Sequence, residues 1–278
     1  MHFLRLKWRA IYMAMRLALK PTIKLMTLTG LLMLSSCSVV PLGELQSETV
    51  PVVTGNVRTY DPFPLIGFAS VAPDAPAPVR WQHYPLPGKQ TTTYRYQWID
   101  GRHAMQATAK MSASMLRQSI RVAPDQLGVL RFSWKVPQLI AGADLALRET
   151  HDSPVRLALA FDGDRSRFSM KNSMLSELAL ALTGEPLPYA TLMYVWCNAC
   201  PQEQVLSSPR TDRIREIPLE SGPTYLGQWR EYQRDIRADY EKAFGEPPGA
   251  LVGVGFMTDT DNTRETAMAW YGAVSLAD

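Results

Sequence analysis

Short runs of alternating apolar and polar residues recur through residues 91–276, and turn residues separate them. Thr91–Ile99 shows the pattern, is rich in Thr, Tyr and Trp, and is followed by Asp100-Gly101. A period of two is typical of β-strands that bury one face. The same pattern predicts eight further strands, over His103–Ala109, Met115–Val122, Val129–Val136, Val155–Phe161, Ala190–Trp196, Ile214–Leu219, Leu251–Met257 and Ala267–Leu276.

Two segments break the alternation and favour helices, Ser173–Leu182 and Trp229–Phe244. In the second segment, bulky residues stand three, seven and eleven positions after the first, on one face of a helix. They are Trp229, Tyr232, Ile236 and Tyr240, and Gly245 ends the segment. We interpret this aromatic stripe as the buried side of the helix, with a ligand platform as the alternative. Nine closely spaced strands with two helical insertions indicate an all-β fold with minor α content, a β-sandwich.

The first residues predict an export signal. Six basic residues and no acid precede a twelve-residue, mainly apolar run that ends at Ser36, and Cys37 follows. This is the order of regions in a signal peptide, and the run is shorter than the about 20 residues that cross a bilayer. Leu34-Ser35-Ser36-Cys37 resembles the bacterial lipoprotein box, whose cysteine is lipidated and becomes the mature N-terminus. We predict a lipoprotein signal peptide over residues 1–36 and lipidation of Cys37, with an ordinary signal peptide as the alternative.

Lipidation at Cys37 attaches a protein to a membrane without a membrane span. Ser38 stands where an aspartate would resemble an inner-membrane retention signal. We therefore expect a lipid-anchored protein of the cell envelope, on the outer membrane and facing the periplasm. Residues 37–80 hold seven of the 21 prolines, which is typical of an extended tether. Residues 81–278 are long enough for one β-sandwich domain with a sizeable core.

The formal charge of +3 for the whole chain changes sign once the leader is removed. The leader carries six of the 29 basic residues and none of the 26 acidic ones, so 23 basic residues remain and the net charge becomes −3. A slightly acidic domain offers no electrostatic reason to bind nucleic acid. We expect partners at the envelope instead, namely the membrane through the lipid and an envelope glycan or envelope protein.

Cys197 and Cys200 enclose two residues after a predicted strand. This spacing would suggest a redox or zinc site in a cytosolic protein. Zinc needs four ligands, and the sequence has no second cysteine pair and no His-x-x-x-His. A redox motif of the thioredoxin type opens a helix, whereas this pair follows a strand and precedes Pro201. We predict a local structural disulfide formed in an oxidising compartment.

Six short segments, spread over the domain in a fixed order, carry a family likeness. They are Phe132–Val136, Asp152–Arg156, Phe161–Asp164, Leu187–Trp196, Ala243–Glu246 and Met257–Thr263. Together they resemble the bacterial family known as domain of unknown function 3047, over about Trp81 to the C-terminus. The resemblance implies an exported, jelly-roll-like β-sandwich that is similar to galactose-binding domains and has no established activity. The chain departs from the family at His151-Asp152, where two acids are expected, and in its Cys-x-x-Cys pair.

The densest polar cluster is Asp259–Thr263, directly after a predicted strand. Hard oxygen ligands at this density could hold Ca2+, although Arg264 and Trp270 at positions six and twelve exclude an EF-hand loop. The same groups could accept hydrogen bonds from sugar hydroxyls, or cap their own backbone in an Asx-rich turn. The expectation is no cofactor, with Ca2+ as the alternative. The ligand or metal candidates in this cluster are Asp259, Asp261 and Asn262.

A second acidic pair, Asp162 and Asp164, follows another strand and joins the candidate list. Such a pair forms a turn more often than a site, and it gains weight only if the two acidic loops converge. Arg156 is also a candidate, because an arginine inside an apolar strand must face solvent or pair with a buried carboxylate. The partners considered for it are Asp152, Asp259 and Asp261.

Three functions from different classes remain open. The sequence has no Gly-x-Ser-x-Gly, no His-Glu-x-x-His and no phosphate-binding glycine loop. It therefore favours a non-catalytic envelope module that binds a polysaccharide or another envelope component. One alternative is a glycan-active hydrolase using Asp162, Asp259 and Asp261, which requires carboxyl groups about 5–5.5 or 6.5–9.5 Å apart. The other is a structural or assembly lipoprotein, which predicts a large exposed apolar patch.

Overall fold

Two β-sheets pack over a shared core in the computed structural model of the protein, which describes residues 59–60 and 81–277. The eight-stranded sheet contains β1 (Thr59–Tyr60), β2 (Trp81–Pro85), β5 (Ser114–Val122), β7 (Arg156–Phe161), β8 (Ala190–Cys197), β9 (Leu206–Ser207), β10 (Ile214–Ser221) and β12 (Leu251–Met257). The six-stranded sheet contains β3 (Thr93–Ile99), β4 (Arg102–Lys110), β6 (Val129–Lys135), β11 (Trp229–Asp235), β13 (Thr266–Tyr271) and β14 (Ser275–Ala277). This architecture confirms the predicted all-β, jelly-roll-like sandwich.

Strand order in both sheets departs from chain order. The larger sheet runs β1-β2-β5-β12-β7-β8-β10-β9, and its one parallel pair is β8 and β10 among the described strands. The smaller sheet runs β11-β6-β13-β4-β3. Strand β6 has two partners on the same side: β13 pairs with its last residues, Trp134 and Lys135, and β14 pairs with its first residues, Val129–Arg131. Most pairings are therefore between strands far apart in the chain.

The period of two explains which residues form the core. In β7 and β6, alternate residues point between the sheets and are buried: Leu157, Leu159, Phe161, Leu130, Phe132 and Trp134. Contacts between rings join the two sheets, with Phe132 stacked on Tyr194 at 5.4 Å and Phe256 on Tyr271 at 4.4 Å between centroids. Burying each such side chain stabilises the fold by about 1.5–3 kcal/mol.

Two α-helices interrupt the strands, α1 (Met170–Thr183) and α2 (Ile236–Phe244). The Ser169 hydroxyl caps the first helix by accepting a hydrogen bond from the Asn172 amide, and the Asp235 carboxylate caps the second through the Ala238 amide. Gly245 ends α2 in a left-handed conformation, φ 69°, which glycine adopts without steric cost. Helix α1 contains the predicted segment Ser173–Leu182.

The predicted helix Trp229–Phe244 is wrong over its first half, which forms strand β11. Strand β11 pairs antiparallel with β6, with Tyr232 opposite Phe132. Its inward positions include Arg230 and Arg234, whose charges are neutralised inside the sandwich, so the alternation of polarity that marks a strand is absent. The proposed stripe is also divided, because Trp229 and Tyr232 stand on opposite faces of a strand.

The structure differs from the sequence predictions at two further places: one predicted strand is divided, and one observed strand was not predicted. Ala267–Leu276 is split into β13 and β14. Between them Gly272 packs against Ser133, where a Cβ atom would lie 2.1 Å from the hydroxyl oxygen. Strand β2 was not predicted, and it pairs with Thr59–Tyr60, which stand within the predicted tether. The predicted signal peptide, Cys37 and the rest of the tether lie outside the described residues. In the part of the chain that is described, no helix combines the length and apolar character needed to cross a membrane.

Close backbone packing at Gly249 predicts a large effect of a single methyl group. A Cβ atom at this position would lie 2.1 Å from the carbonyl oxygen of Asp162, so the main chain must move. We expect Gly249→Ala to lower the free energy of unfolding by about 1–3 kcal/mol. Gly253→Ala is the matched control, because its nearest neighbour would be 3.5 Å away, and it should change stability by less than about 0.5 kcal/mol. Equal effects in urea denaturation would contradict this packing.

Candidate functional site

Arg156 opens strand β7 on the face opposite the core and is only 2% exposed. Its Nε donates a hydrogen bond to Asp259 Oδ1 at 2.9 Å, and Nη2 donates to the backbone oxygen of His151 at 2.9 Å. Nη1 donates to Glu216 Oε1. A buried guanidinium needs such partners, because desolvating an unpaired charge costs several kcal/mol. Of the three carboxylates considered from the sequence, Asp259 is the one that binds Arg156.

Glu216 is a partner that sequence reasoning missed. It is fully buried in β10, and its Oε2 lies 3.1 Å from His151 Nε2. The available signal was an acidic residue inside the apolar strand Ile214–Leu219, which poses the same problem of burial as Arg156. Two such residues of opposite charge in different strands are candidates for one ion pair.

The surroundings shift the pKa values of the two carboxyl groups in opposite directions. Burial raises the pKa of Asp259, and the nearby charge of Asp152 adds to this, so the ion pair with Arg156 offsets the rise only in part. Burial acts on Glu216 in the same way, but Arg156 and His151 together bring its pKa below the ordinary value. The same burial is therefore outweighed by the partners at Glu216 but not at Asp259.

Asp152 joins two loops around this centre. Its Oδ2 accepts hydrogen bonds from the amide and the hydroxyl of Thr263, both at 2.7 Å, and its Oδ1 accepts from the Asn262 amide at 3.3 Å. The Ser153 amide donates to Asp259 Oδ1 at 3.1 Å, and the Asp259 amide donates back to the Ser153 carbonyl. The loop before β7 and the loop after β12 are thus held to each other at both backbone and side-chain level.

Three carboxylates of this region stand close together. Asp152, Asp259 and Asp261 each place one oxygen within 4.8 Å of the other two. Cationic side chains of the protein already engage two of them, because Arg156 pairs with Asp259 and Lys89 pairs with Asp261. A Ca2+ ion, which takes six to eight oxygen ligands, would have to compete with Lys89 and with the donors on Asp152. The three carboxylates are thus already engaged by donors of the protein itself.

The Asn262 side chain makes two hydrogen bonds, both to residues outside its own loop. Its Nδ2 donates to the backbone oxygen of Arg148 at 2.6 Å, and its Oδ1 accepts from Arg210 Nη2 at 3.3 Å. Both contacts fix the loop after β12 to neighbouring loops. Neither contact is with the backbone of its own turn, so the Asn262 side chain does not act as the cap expected in an Asx-rich turn.

Asp162 and Asp164 lie away from this centre, beyond the other end of β7, which is six residues or about 20 Å long. The Asp162 carboxylate is 3.6 Å from Arg121, and Asp164 caps a short turn by accepting from the Ser166 amide at 2.9 Å. The two acidic loops do not converge, because β12 runs antiparallel beside β7 and places Asp259 at the end remote from Asp162. Grouping these residues in one candidate site is therefore corrected.

Cys197 and Cys200 form a disulfide at the end of β8, with their Cα atoms 6.1 Å apart. The Cys200 amide donates to the Ser221 hydroxyl of β10 at 3.0 Å. Cys197 packs in a small apolar cluster with Ala158 and Val195 on the outer face of the eight-stranded sheet. The bridge therefore fixes a turn beside this cluster.

A groove of about 460 Å3 opens on the six-stranded sheet where β13 ends. Tyr271 pairs with Met105 at the last position of β13, and the chain then crosses to β6, where Ser275 pairs with Arg131. Among the described strands, none replaces β13 beside the start of β4. The polar residues that line the resulting space are Arg102, His103, Arg131, Ser133, Glu231 and Gln233.

Aromatic rings border the groove. Trp98, which is 64% exposed, meets His103 edge-on with the ring centroids 4.6 Å apart. Arg102 lies over the ring of Trp229 at 4.7 Å and pairs with Glu231 at 3.0 Å. The groove thus combines donors and acceptors of hydrogen bonds with flat apolar surfaces. No sequence motif pointed to the groove. The one available signal in the sequence was Trp98, a large aromatic residue near the end of the predicted strand Thr91–Ile99.

The fold and this site define a two-sheet β-sandwich with an open polar groove and a buried ionic centre. The chain belongs to the family described as "Protein of unknown function (DUF3047)", which matches residues 79–275 and confirms the resemblance seen in the sequence. No curated protein sequence matches the chain.

Solved structures with a similar arrangement of strands include three carbohydrate-active proteins. The xyloglucanase domain of NopAA from Sinorhizobium fredii is 11% identical, with a TM-score of 0.37 over 72% of this chain and 93% of its own. A Cel12A cellulase variant of Rhodothermus marinus is 11% identical, with a TM-score of 0.39 over 71% and 90%. Endoglucanase 3 of Trichoderma harzianum is 8% identical, with a TM-score of 0.38 over 72% and 91%. At these values the likeness carries no argument about function.

Removal of the Arg156 charge should be strongly destabilising. Arg156→Met leaves Asp259 and Glu216 buried without their cation, and we expect a loss of about 3–5 kcal/mol near pH 7. The unpaired carboxyls then have raised pKa values, so the folded state binds more protons than the unfolded one. The loss should therefore shrink as the pH falls to about 5. Arg95→Met, at an exposed position, is the control, and an equally small loss for both variants in urea denaturation would refute the role of Arg156.

Calcium should have little effect on stability if the carboxylates are already engaged. We expect the thermal midpoint to be the same with added Ca2+ and with a chelator, because Lys89 and Arg156 occupy two of the three carboxylates. Lys89→Met provides the comparison, since it frees Asp261 and should make stability more sensitive to Ca2+. A rise in the midpoint of the unaltered protein with Ca2+ would show that the cluster is a metal site.

Proposed function

We propose that the protein is a non-catalytic binding module for a glycan of the cell envelope, and that the glycan lies in the groove beside β4. Lipidation of Cys37 anchors it to the outer membrane on the periplasmic side. The observation that carries the proposal is the pairing of a polar groove with the exposed ring of Trp98.

The groove suits a sugar chain in both shape and chemistry. A sugar ring presents hydroxyl groups at its edge and C–H groups on its faces. Ser133, Gln233 and Arg131 of the groove lining offer donors and acceptors for the hydroxyls. Trp98 stands outside the lining, next to His103, and its exposed ring is available to the apolar face of a sugar.

The same residues argue against hydrolysis. Glycoside hydrolysis requires two carboxyl groups on either side of the scissile bond. Among the described residues, Glu231 is the one carboxylate that lines the groove, and Arg102 neutralises it at 3.0 Å. Asp162, Asp259 and Asp261, the acids of the hydrolase hypothesis, cannot act together on one bond. Asp259 is buried, and Asp162 lies at the far end of β7.

Two features support the location at the envelope. The leader has the regions of a lipoprotein signal, and its removal leaves a slightly acidic domain. The Cys197–Cys200 disulfide is typical of proteins that fold in an oxidising compartment such as the periplasm. Membrane attachment through the lipid keeps such a module next to envelope polymers.

Substitutions in the groove should weaken glycan binding without unfolding the protein. We expect Trp98→Ala and Arg131→Ala each to raise Kd by about tenfold for envelope glycans that bind on an array, equivalent to ~1.4 kcal/mol. Arg95→Ala is the matched control, because Arg95 is exposed on the same sheet outside the groove lining. Unchanged binding in both groove variants, with the fold verified by circular dichroism, would reject the groove as the site.

A further inference from the structure

Helix α1 turns an apolar face to the solvent. Four residues at intervals of four, 55% to 82% exposed, run along it: Met170, Met174, Leu178 and Leu182. Such a continuous row of large apolar side chains is rare on a monomeric surface and marks an interaction site.

The orientation of α1 is set by polar contacts. Asn172 is buried and donates to Asp212 Oδ1 at 2.7 Å, and its own Oδ1 accepts from Thr211 at 2.8 Å. Ser176, also buried, accepts from Arg165 Nη1 at 3.1 Å. The polar side of the helix is thus fastened to the domain, which reverses the ordinary arrangement of a surface helix. The hydrogen bonds of Asn172 and Ser176 therefore hold the apolar face of the helix in its exposed orientation.

Basic residues surround the first turn of the helix. Arg165, Arg167 and Lys171 are exposed, and Glu177 is the one acid within the helix itself. Although Arg167 also pairs with Glu246 at 2.7 Å, an exposed apolar stripe beside exposed cations suits the headgroup region of an anionic bilayer.

The C-terminal end of α1 is linked to the edge of the sheet where the tether enters. Glu185, just after the helix, binds Arg117 Nη2 at 2.6 Å, and Arg117 lies over the ring of Tyr84 in β2 at 3.9 Å. Strand β2 is the partner of Thr59–Tyr60. The 22 positions between Cys37 and Thr59 span at most about 75 Å. A lipid on Cys37 therefore limits the distance between this edge and the bilayer to that length.

We propose that the apolar face of α1 lies in the headgroup region of the bilayer to which the chain is tethered. This inference goes beyond glycan binding and depends on lipidation of Cys37, the anchor of the proposed function. The lipid supplies attachment, and α1 supplies a second contact that restricts how the domain is oriented on the membrane. Burial of Met174, Leu178 and Leu182 among acyl chains replaces their exposure to water.

The test uses the full chain, lipidated and reconstituted in vesicles of phosphatidylethanolamine and phosphatidylglycerol. The chain has three cysteines, two in the disulfide and one predicted to be lipidated, so Leu178→Cys supplies a single site for an environment-sensitive fluorophore. Arg95→Cys is the matched control on the other sheet. We expect a blue shift at position 178, and a loss of emission with nitroxide-bearing lipids, and neither change at position 95.

Two results would overturn the proposal. Emission at position 178 that stays typical of water shows that the face does not meet the membrane. A blue shift without quenching by the nitroxide lipids shows that a second copy or another protein covers the face instead. Vesicle flotation of Cys37→Ser tests the anchor separately, and glycan binding in detergent tests the groove separately, so failure of either is distinguishable from failure of α1 docking.

Discussion

A guanidinium that has lost its water must keep its carboxylates, and this requirement organises one whole end of the sandwich. Arg156 of β7 binds Glu216 two strands away in β10 and Asp259 in the loop after β12. None of these three groups is tolerated there alone, because each would be a buried unpaired charge. The ionic centre therefore forms only with this strand order of the large sheet, and in turn it stabilises that strand order.

The ionic centre around Arg156 and the groove beside β4 differ in how accessible their polar groups are. The acidic residues that seemed suited to a ligand are occupied by the protein's own cations and amides, and Asp152 and Asp259 are buried. The groove beside β4 has the opposite character, since most of its polar residues are exposed and its neighbouring ring, Trp98, is exposed as well. We thus propose that stability and binding depend on different sheets.

Sequence reasoning recovered the strands well where one face is apolar. Leu251–Met257 has the same bounds in the structure, and the cost of burying Arg156 correctly required a carboxylate partner. It failed where ion pairs are buried. In β11, inward-facing Arg230 and Arg234 are neutralised by Glu220 and Asp239, so polarity no longer reports which face is buried.

The remaining features depend on which strands become neighbours, which local patterns do not encode. Glu216 is a partner of Arg156 only because β10 pairs in parallel with β8. The groove exists only because the chain leaves β4 after Tyr271 and crosses to β6. Both are consequences of non-local pairing, and the periodicity of each strand is the same with or without them.

The central claim is that the groove binds the ligand while the ionic centre maintains the fold. Amide NMR shifts followed during titration with an array-identified envelope glycan test this most directly. The account predicts saturable shifts at His103, Ser133 and Gln233, with the amides of Ser153 and Asp259 unchanged. Shifts confined to the loop around Asp259, with the groove unaffected, would contradict it.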